Sequence, residues 1–366
     1  MKITANRDDL LSPLLSAGSV VERRQTLPIL ANMLINTSEG KVSFTATDLE
    51  VELTTTSKAI ADSDMEFTLP ARKLIDICKA LPDGADVSLE VSGDKATLRS
   101  GRGRYTMGIL PAQDYPTIEP SAASEEFTLP ETVLKKLIDK TSFAMAQQDV
   151  RYYLNGLLLE IVGKRIRAVA TDGHRLALCD GSFENPAEAS IQVILPRKAV
   201  MELGRLLNDS EDPVRLEVSN SHVRIHFGNT LFTTKLIDGR FPDYERVMPN
   251  GEIRNLQAEK DVLRQALART AILSNEKYRG IRFRLSQNLL HLQAHNPEQD
   301  EAEEELEVEY EGEELNIGFN VGYLLDVLNV LDTDKVNIAL IDSNSSSLVT
   351  PSDDQECRYV VMPMRL

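Results

Sequence analysis

The feature that most constrains this chain is that it repeats itself three times. FTLPARKLIDICKALPDG from Phe67 is echoed by VILPRKAVMELGRLLND from Val193, which sets Pro70 and Pro196 126 residues apart. IGFNVGYLLDVLNVLDTD from Ile317 puts Asn320 a further 124 residues along. ATDLEVEL around Asp48, ATDGHRLAL around Asp172 and AHNPEQDEAEEEL around Asn296 keep steps of 124. MKITANRDDLLSPL, EFTLPETVLKKLI and NLQAEKDVLRQAL open the three units, each an extended stretch running into an amphipathic helix. Repetition at a fixed long period decides architecture before local propensity does. Three similar domains are therefore expected, at 1–125, 126–250 and 251–366.

Each unit itself has two similar halves, a strand leading into a helix and then several strands. Alternation in VSFTATDLEVEL and in VSLEVSGDKATLRS marks half-buried strands, with Ser38-Glu39-Gly40 and Ser92-Gly93-Asp94 as turns. Strands outnumber helices, and tight turns pair them antiparallel. The expected class is α+β, paired helices on antiparallel sheets. With few aromatics and no tryptophan, the cores must rest on Leu, Ile and Val.

Forty basic side chains against 57 acidic ones give a net charge of −17, which repels nucleic acid overall. Distribution qualifies this. In the helix after Pro70, Leu74, Ile77, Cys78 and Leu81 share one face, opposite Arg72, Asp76 and Lys79. After Pro196, Val200, Leu203 and Leu207 turn inward while Lys198, Glu202 and Arg205 turn out. Val133, Leu134, Leu137 and Ile138 oppose Lys135, Lys136 and Asp139, and Arg264 occupies the third unit's first helix. The third unit's second helix departs, with Gly322, Asp326 and Asn329. The acidic excess is concentrated: eleven carboxylates and no base lie between Glu298 and Glu314. Such a run reads as a solvated segment, or, because Leu306, Val308 and Tyr310 alternate through it, as an acidic strand awaiting a basic one. Arg99–Tyr105, with Arg102 and Arg104, is the candidate counterpart.

No window reaches the roughly 18 apolar residues of a membrane span, and MKITANRDDLL lacks a signal core. Cys78, Cys179 and Cys357, odd in number and widely spaced, exclude a disulfide framework and a cysteine zinc site on this reading, and point to a reducing cytoplasm. A domain of about 120 residues is roughly 35 Å across, so six in a ring leave a hole about as wide. A duplex on the order of 20 Å thick passes through it. Three domains per chain would then require two chains, head to tail, holding phosphates without reading bases.

These motifs carry a resemblance along the whole chain: Arg24 with TLPILAN, QDVRYYLNG from Gln148, ATDGHRLA, DGRFPDYERV from Asp238, AILSNEKYRG from Ala271 and the terminal MPMRL. The chain resembles the bacterial sliding clamps, the beta subunits of DNA polymerase III. The resemblance implies a non-catalytic homodimeric ring of six domains that encircles duplex DNA without sequence preference. It implies that the ring tethers DNA polymerase III and other polymerases, the clamp loader and repair proteins through short linear peptides, with no cofactor, metal or membrane. It implies a peptide pocket lined by Leu154, Thr171, Gly173, His174, Arg175, Leu176, Pro242, Arg246, Val247, Val360, Met362, Pro363, Met364 and Arg365. Methionine suits such a pocket because it adapts to varied apolar ligands. It implies DNA contacts at Arg24, Arg72, Gln148, Arg151, Tyr152, Tyr153 and Lys198. It implies a subunit seam of Lys73, Arg102, Arg104 and Tyr105 against Ile272, Leu273, Glu298, Glu301, Glu303 and Glu304, with Tyr105 standing where phenylalanine is expected.

Two other classes compete. A metal-dependent nucleic-acid-processing enzyme would need a distinct carboxylate pair, which the continuous acidic run does not single out. A monomeric peptide scaffold would not self-associate. Catalysis by His174 beside Asp172 is disfavoured, because the first repeat has Asp48-Leu49-Glu50 there, and Asp172-Gly173 reads as a turn.

Overall fold

The computed structural model describes residues 1–21, 27–119, 122–123, 125–184 and 190–365. The first repeat runs β1 (Lys2–Asn6), α1 (Arg7–Gly18), β2 (Asn32–Ser38), β3 (Lys41–Thr47), β4 (Val51–Ala61), β5 (Met65–Pro70), α2 (Ala71–Ala80), β6 (Asp86–Ser92), β7 (Lys95–Ser100) and β8 (Gly103–Gly108). The second runs β9 (Glu125–Pro130), α3 (Glu131–Thr141), β10 (Gly156–Val162), β11 (Arg165–Thr171), β12 (Arg175–Ser182), β13 (Ile191–Pro196), α4 (Arg197–Leu206), β14 (Pro213–Val218), β15 (His222–Phe227) and β16 (Thr230–Lys235). The third runs β17 (Arg254–Glu259), α5 (Lys260–Thr270), β18 (Gly280–Ser286), β19 (Leu289–His295), β20 (Glu301–Glu307), a two-residue β21 (Glu309–Tyr310), β22 (Leu315–Asn320), α6 (Val321–Val330), β23 (Lys335–Leu340), β24 (Ser347–Pro351) and β25 (Cys357–Val361). β21 aside, the three series are element for element the same.

The second helices begin where the repeat places Pro70, Pro196 and Asn320. Proline ends the strand in the first two. In the third, the Asn320 side-chain oxygen accepts from Gly322 N at 2.9 Å, capping α6. The departure in sequence thus preserves the helix start. Leu74, Ile75 and Cys78 bury the inner face of α2, with Ile75 taking the place expected for Ile77, which is only half-buried. Glu202 is also a correction: its side chain is buried rather than outward, and it is paired with Arg205 at 2.9 Å. The acidic run forms β20 and β21, with Leu306, Val308 and Tyr310 buried, so the strand reading of that segment holds.

Each repeat supplies two four-stranded half-sheets. In the first they are β5-β2-β3-β4 and β1-β6-β7-β8, and the others follow suit. The described chain divides into two compact units, residues 1–132 with 201–236 and residues 133–200 with 237–366. This division departs from the repeats because sheets cross the repeat boundaries. In the first unit β4 pairs antiparallel with β16, Leu53 opposite Phe232. In the second, β12 pairs antiparallel with β25, Leu178 opposite Arg358. These are the same joint, made by the fourth strand of one repeat and the last strand of the next. Its remaining members, β20 and β8, are each the outer strand of their own sheet.

The second joint also corrects the cysteine reading. Cys179 and Cys357 stand opposite each other in the β12–β25 register and form a disulfide. Spacing in sequence conceals a pairing that strand register creates. Cys78 is free and buried, and burial pushes its thiol up to about 11. No described helix is long and apolar enough to cross a membrane.

Candidate functional site

Within the second unit, the β10–β13 sheet and the end of β25 carry an apolar cluster. Leu158, Val169, Leu176, Leu178, Ile194, Phe241, Tyr244 and Val360 form its buried floor, and Tyr153, Ile237, Val247, Met248 and Leu348 lie half-buried on it. Leu176, Val247 and Val360 of the expected pocket are thus brought together. Phe241, Tyr244 and Met248 join the same cluster without having been among the expected residues, though the first two lie in the FPDYERV motif. Pro242 and Arg246 are exposed on the same segment, Arg246 paired with Asp243 at 2.7 Å. The segment is pinned from below: the Tyr244 hydroxyl accepts from Arg167 Nη1 at 3.2 Å, while Arg167 grips Asp180 through two nitrogens at 2.6 and 2.8 Å. Those contacts raise the Arg167 guanidinium further above its ordinary value.

The β11–β12 turn leads into Leu176 of this cluster. Thr171 Oγ1 donates to Arg175 O at 2.6 Å and accepts from Gly173 N at 3.1 Å, and the Asp172 carboxylate accepts from His174 N at 2.9 Å. Gly173 has φ +88°, as a left-handed turn position requires. His174 is exposed and stacks on Tyr323 of α6, ring centroids 6.3 Å apart. Arg175 does not line the pocket freely. Its Nε donates to Asp172 at 3.1 Å, Nη2 to Phe143 O at 2.9 Å and Nη1 to Asp326. Its guanidinium lies between the rings of Phe143 and Tyr323, 5.3 and 4.6 Å from their centroids. It is a strut joining β12 to α6 that fixes Tyr323 beside His174. Phe143, Tyr323 and Asp326 carried no periodic or motif signal that could have assigned them here.

The last residues change partners. Met362 N donates to His174 O at 3.0 Å, whereas Met364 N donates to Gly318 O of β22 at 2.8 Å. Met362 and Pro363 are half-buried, and Met364 and Arg365 lie against the third repeat's sheet beside Arg282. Leu154 is buried, its N bonded to Arg151 O at 2.8 Å.

The loop before β10 holds the expected DNA contacts Gln148, Arg151, Tyr152 and Tyr153. Asn155 braces it, accepting from Asp149 N at 2.9 Å and donating to Asp149 O at 2.8 Å. Arg151 grips Asp149 at 3.0 and 2.9 Å and holds that carboxyl down at about 2. Gln148 adopts φ +57°, and Val150 and Tyr152 are 94% and 57% exposed. Tyr153 instead packs on the apolar cluster and meets Tyr152 edge-on at 5.8 Å. Arg24 lies outside the described residues. Arg72 is exposed, and Lys198 is half-buried. The helix cations are less available than their spacing suggests. Lys135 pairs with Asp139, Lys136 with Asp354 and Glu356, Lys140 with Asp332, and Arg264 with Asp261.

On the expected seam, Lys73, Arg102, Arg104 and Tyr105 are exposed, as are Ile272, Glu298, Glu301 and Glu303, with Leu273 half-buried. Glu304 points the other way along β20. It is held by Arg269 through both oxygens, and that contact lowers its carboxyl. Among the described residues no group of three or more metal-ligating side chains gathers.

Three domain models of the DNA polymerase III beta subunit match the chain in order: N-terminal at residues 1–119, central at 128–243 and C-terminal at 245–365. The chain belongs to the DNA polymerase III beta subunit family. The beta sliding clamp of Pseudomonas aeruginosa is 52% identical over 369 residues, covering all of both chains, and that of Escherichia coli is 47% identical over 367. The crystal structure of the Pseudomonas aeruginosa beta subunit superposes with a TM-score of 0.97, each chain fully covered at 52% identity. That of the Caulobacter crescentus clamp gives 0.96 at 40% identity, covering 100% of this chain and 99% of that one. Another Pseudomonas aeruginosa clamp structure contains bound griselimycin. A beta clamp is a processivity factor, not an enzyme, and the Asp172–His174 turn is accordingly a structural element.

Proposed function

We propose that two copies of this chain close head to tail into a ring around duplex DNA and tether DNA polymerase III and its competitors for processive synthesis. One observation carries the assembly. The joint between consecutive repeats is made twice inside the chain, by β4 with β16 and by β12 with β25, and its two unused members are both sheet edges. β20 is acidic and β8, entered through Arg102, is basic. A third such joint therefore runs from β20 of one protomer to β8 of its partner, and by two-fold symmetry a fourth closes the ring. Tyr105, Ile272 and Leu273 supply its apolar centre inside a charged rim. Domain boundaries near residues 125 and 250 are part of this reading.

The helices face the duplex in the ring, with Arg72 and Lys198 as phosphate contacts. The exposed loop Gln148–Tyr152 touches backbone or an unpaired base. Partner polymerases, the loader and repair proteins insert apolar peptide side chains onto the Leu176–Val247–Val360 floor, beside His174 and Met362. The compartment is the cytoplasm, where the Cys179–Cys357 bond is subject to reduction. Sedimentation should give twice the 40.7 kDa of one chain, and protein loaded on nicked circular DNA should stay bound until the circle is linearised. A particle of one chain's mass, or equal retention on both DNA forms, overturns the ring.

A further inference from the structure

The apolar floor lies where β12 meets β25, and the chain makes the same joint once more, where β4 meets β16. The two correspond pair by pair. Leu176 stands opposite Val360 in one, and Glu52 opposite Thr233 in the other. Met362 N donates to His174 O at 3.0 Å, and Lys235 N to Glu50 O at 2.9 Å. A similar segment covers both. Asp243-Tyr244 leads to Val247 after β16, and Asp114-Tyr115 leads to Ile118 after β8, with both tyrosines buried.

The chemistry of the two differs. Around Leu34, which takes the place of Leu158, the strand register puts Thr45 where the apolar floor has Val169 and Thr68 where it has Ile194. Leu348, opposite Val360, is replaced by Arg224, opposite Thr233. Glu52 is the largest change. It is 9% exposed, and its Oε2 accepts from Ile118 N at 2.9 Å, which ties the covering segment down. Thr45 and Thr54 share a hydrogen bond of 2.8 Å beneath it. An apolar side chain entering here would displace Ile118 and strip the carboxylate of its donor and its remaining water, leaving a buried charge unpaired. Specificity built this way acts by rejecting an occupant rather than by attracting one.

We propose that Glu52, with Thr233 opposite it, is the determinant that closes the first joint to apolar peptide side chains and so confines partner docking to the second. The inference rests on the peptide-docking reading above and adds which residues decide between two equivalent joints. Isothermal titration calorimetry of the full chain with an acetylated octapeptide bearing adjacent leucine and phenylalanine counts the sites. The unmodified chain should take one peptide. Glu52→Leu combined with Thr233→Val should take two, the second within about a hundredfold of the first in dissociation constant. A count that stays at one while the first site still binds overturns the inference, as does a count of two in the unmodified chain. The reciprocal exchange leaves the first joint untouched and decides the matter where the double variant does not fold. Leu176→Glu should weaken binding about a hundredfold, and Leu176→Gln, of similar size but uncharged, about tenfold or less. Equal losses in those two variants overturn the role given to the carboxylate and leave peptide docking intact. Failure of the peptide to bind the unmodified chain overturns the docking reading, and this inference with it.

Discussion

The Asp149–Arg151 pair and Gly173 show how single residues tie the exposed loop to the pocket wall. Asp149 is held at about 2 against an ordinary 3.8, first by the Arg151 side chain and then by its backbone N–H. A carboxyl depressed on folding contributes stability that is complete above its unfolded value and disappears as the pH falls through its folded one. The loop should therefore keep its shape at pH 4 and loosen only near pH 2. A carboxyl-carbon NMR titration of Asp149 with a midpoint near 3.8 would contradict the pairing. A Cβ on Gly173 would meet Arg151 Nη2 at 3.0 Å, but that side chain can yield, so the φ of +88° sets the cost. Gly173→Ala should destabilise by about 1–2 kcal/mol, read as a lower urea midpoint. The turn itself was legible in Asp172-Gly173. The strut through Arg175 was not, because Phe143 and Asp326 meet it from elements 32 and 151 residues away.

At the scale of elements, helices and most strands follow the hydrophobic period, while β10 and β11 are buried on both faces. The charge pattern was a poorer guide. Lys136 and Lys140 keep their helical spacing yet are taken by Glu356 and Asp332, acids more than 190 residues away whose approach no local pattern reveals. The same blindness hid the disulfide, which strand register alone produces. Closing a loop of 178 residues restrains the unfolded chain, so reduction should lower stability by about 3–5 kcal/mol. Urea denaturation with and without dithiothreitol measures this, and coincident curves would mean the bond contributes nothing. At the seam, Arg102→Glu combined with Arg104→Glu sets like charges against β20. The dimer dissociation constant should rise about tenfold or more, as seen by sedimentation equilibrium, and least in high salt. An unaltered constant would remove β8 from the interface.

Over the whole molecule, the threefold repeat was the most legible fact and the compact units the least. Repetition reports ancestry, whereas the units report where strands pair, and the joints β4–β16 and β12–β25 carry sheets across repeat boundaries. The two kinds of joint in the proposed ring differ in one respect. Those inside the chain are backed by covalent connection, one of them by a disulfide as well, while that between β20 and a partner's β8 has only edge pairing, a small apolar centre and opposed charge. In the proposed ring it is the joint that would part with every domain still folded, the doorway for a double helix that has no free end to thread.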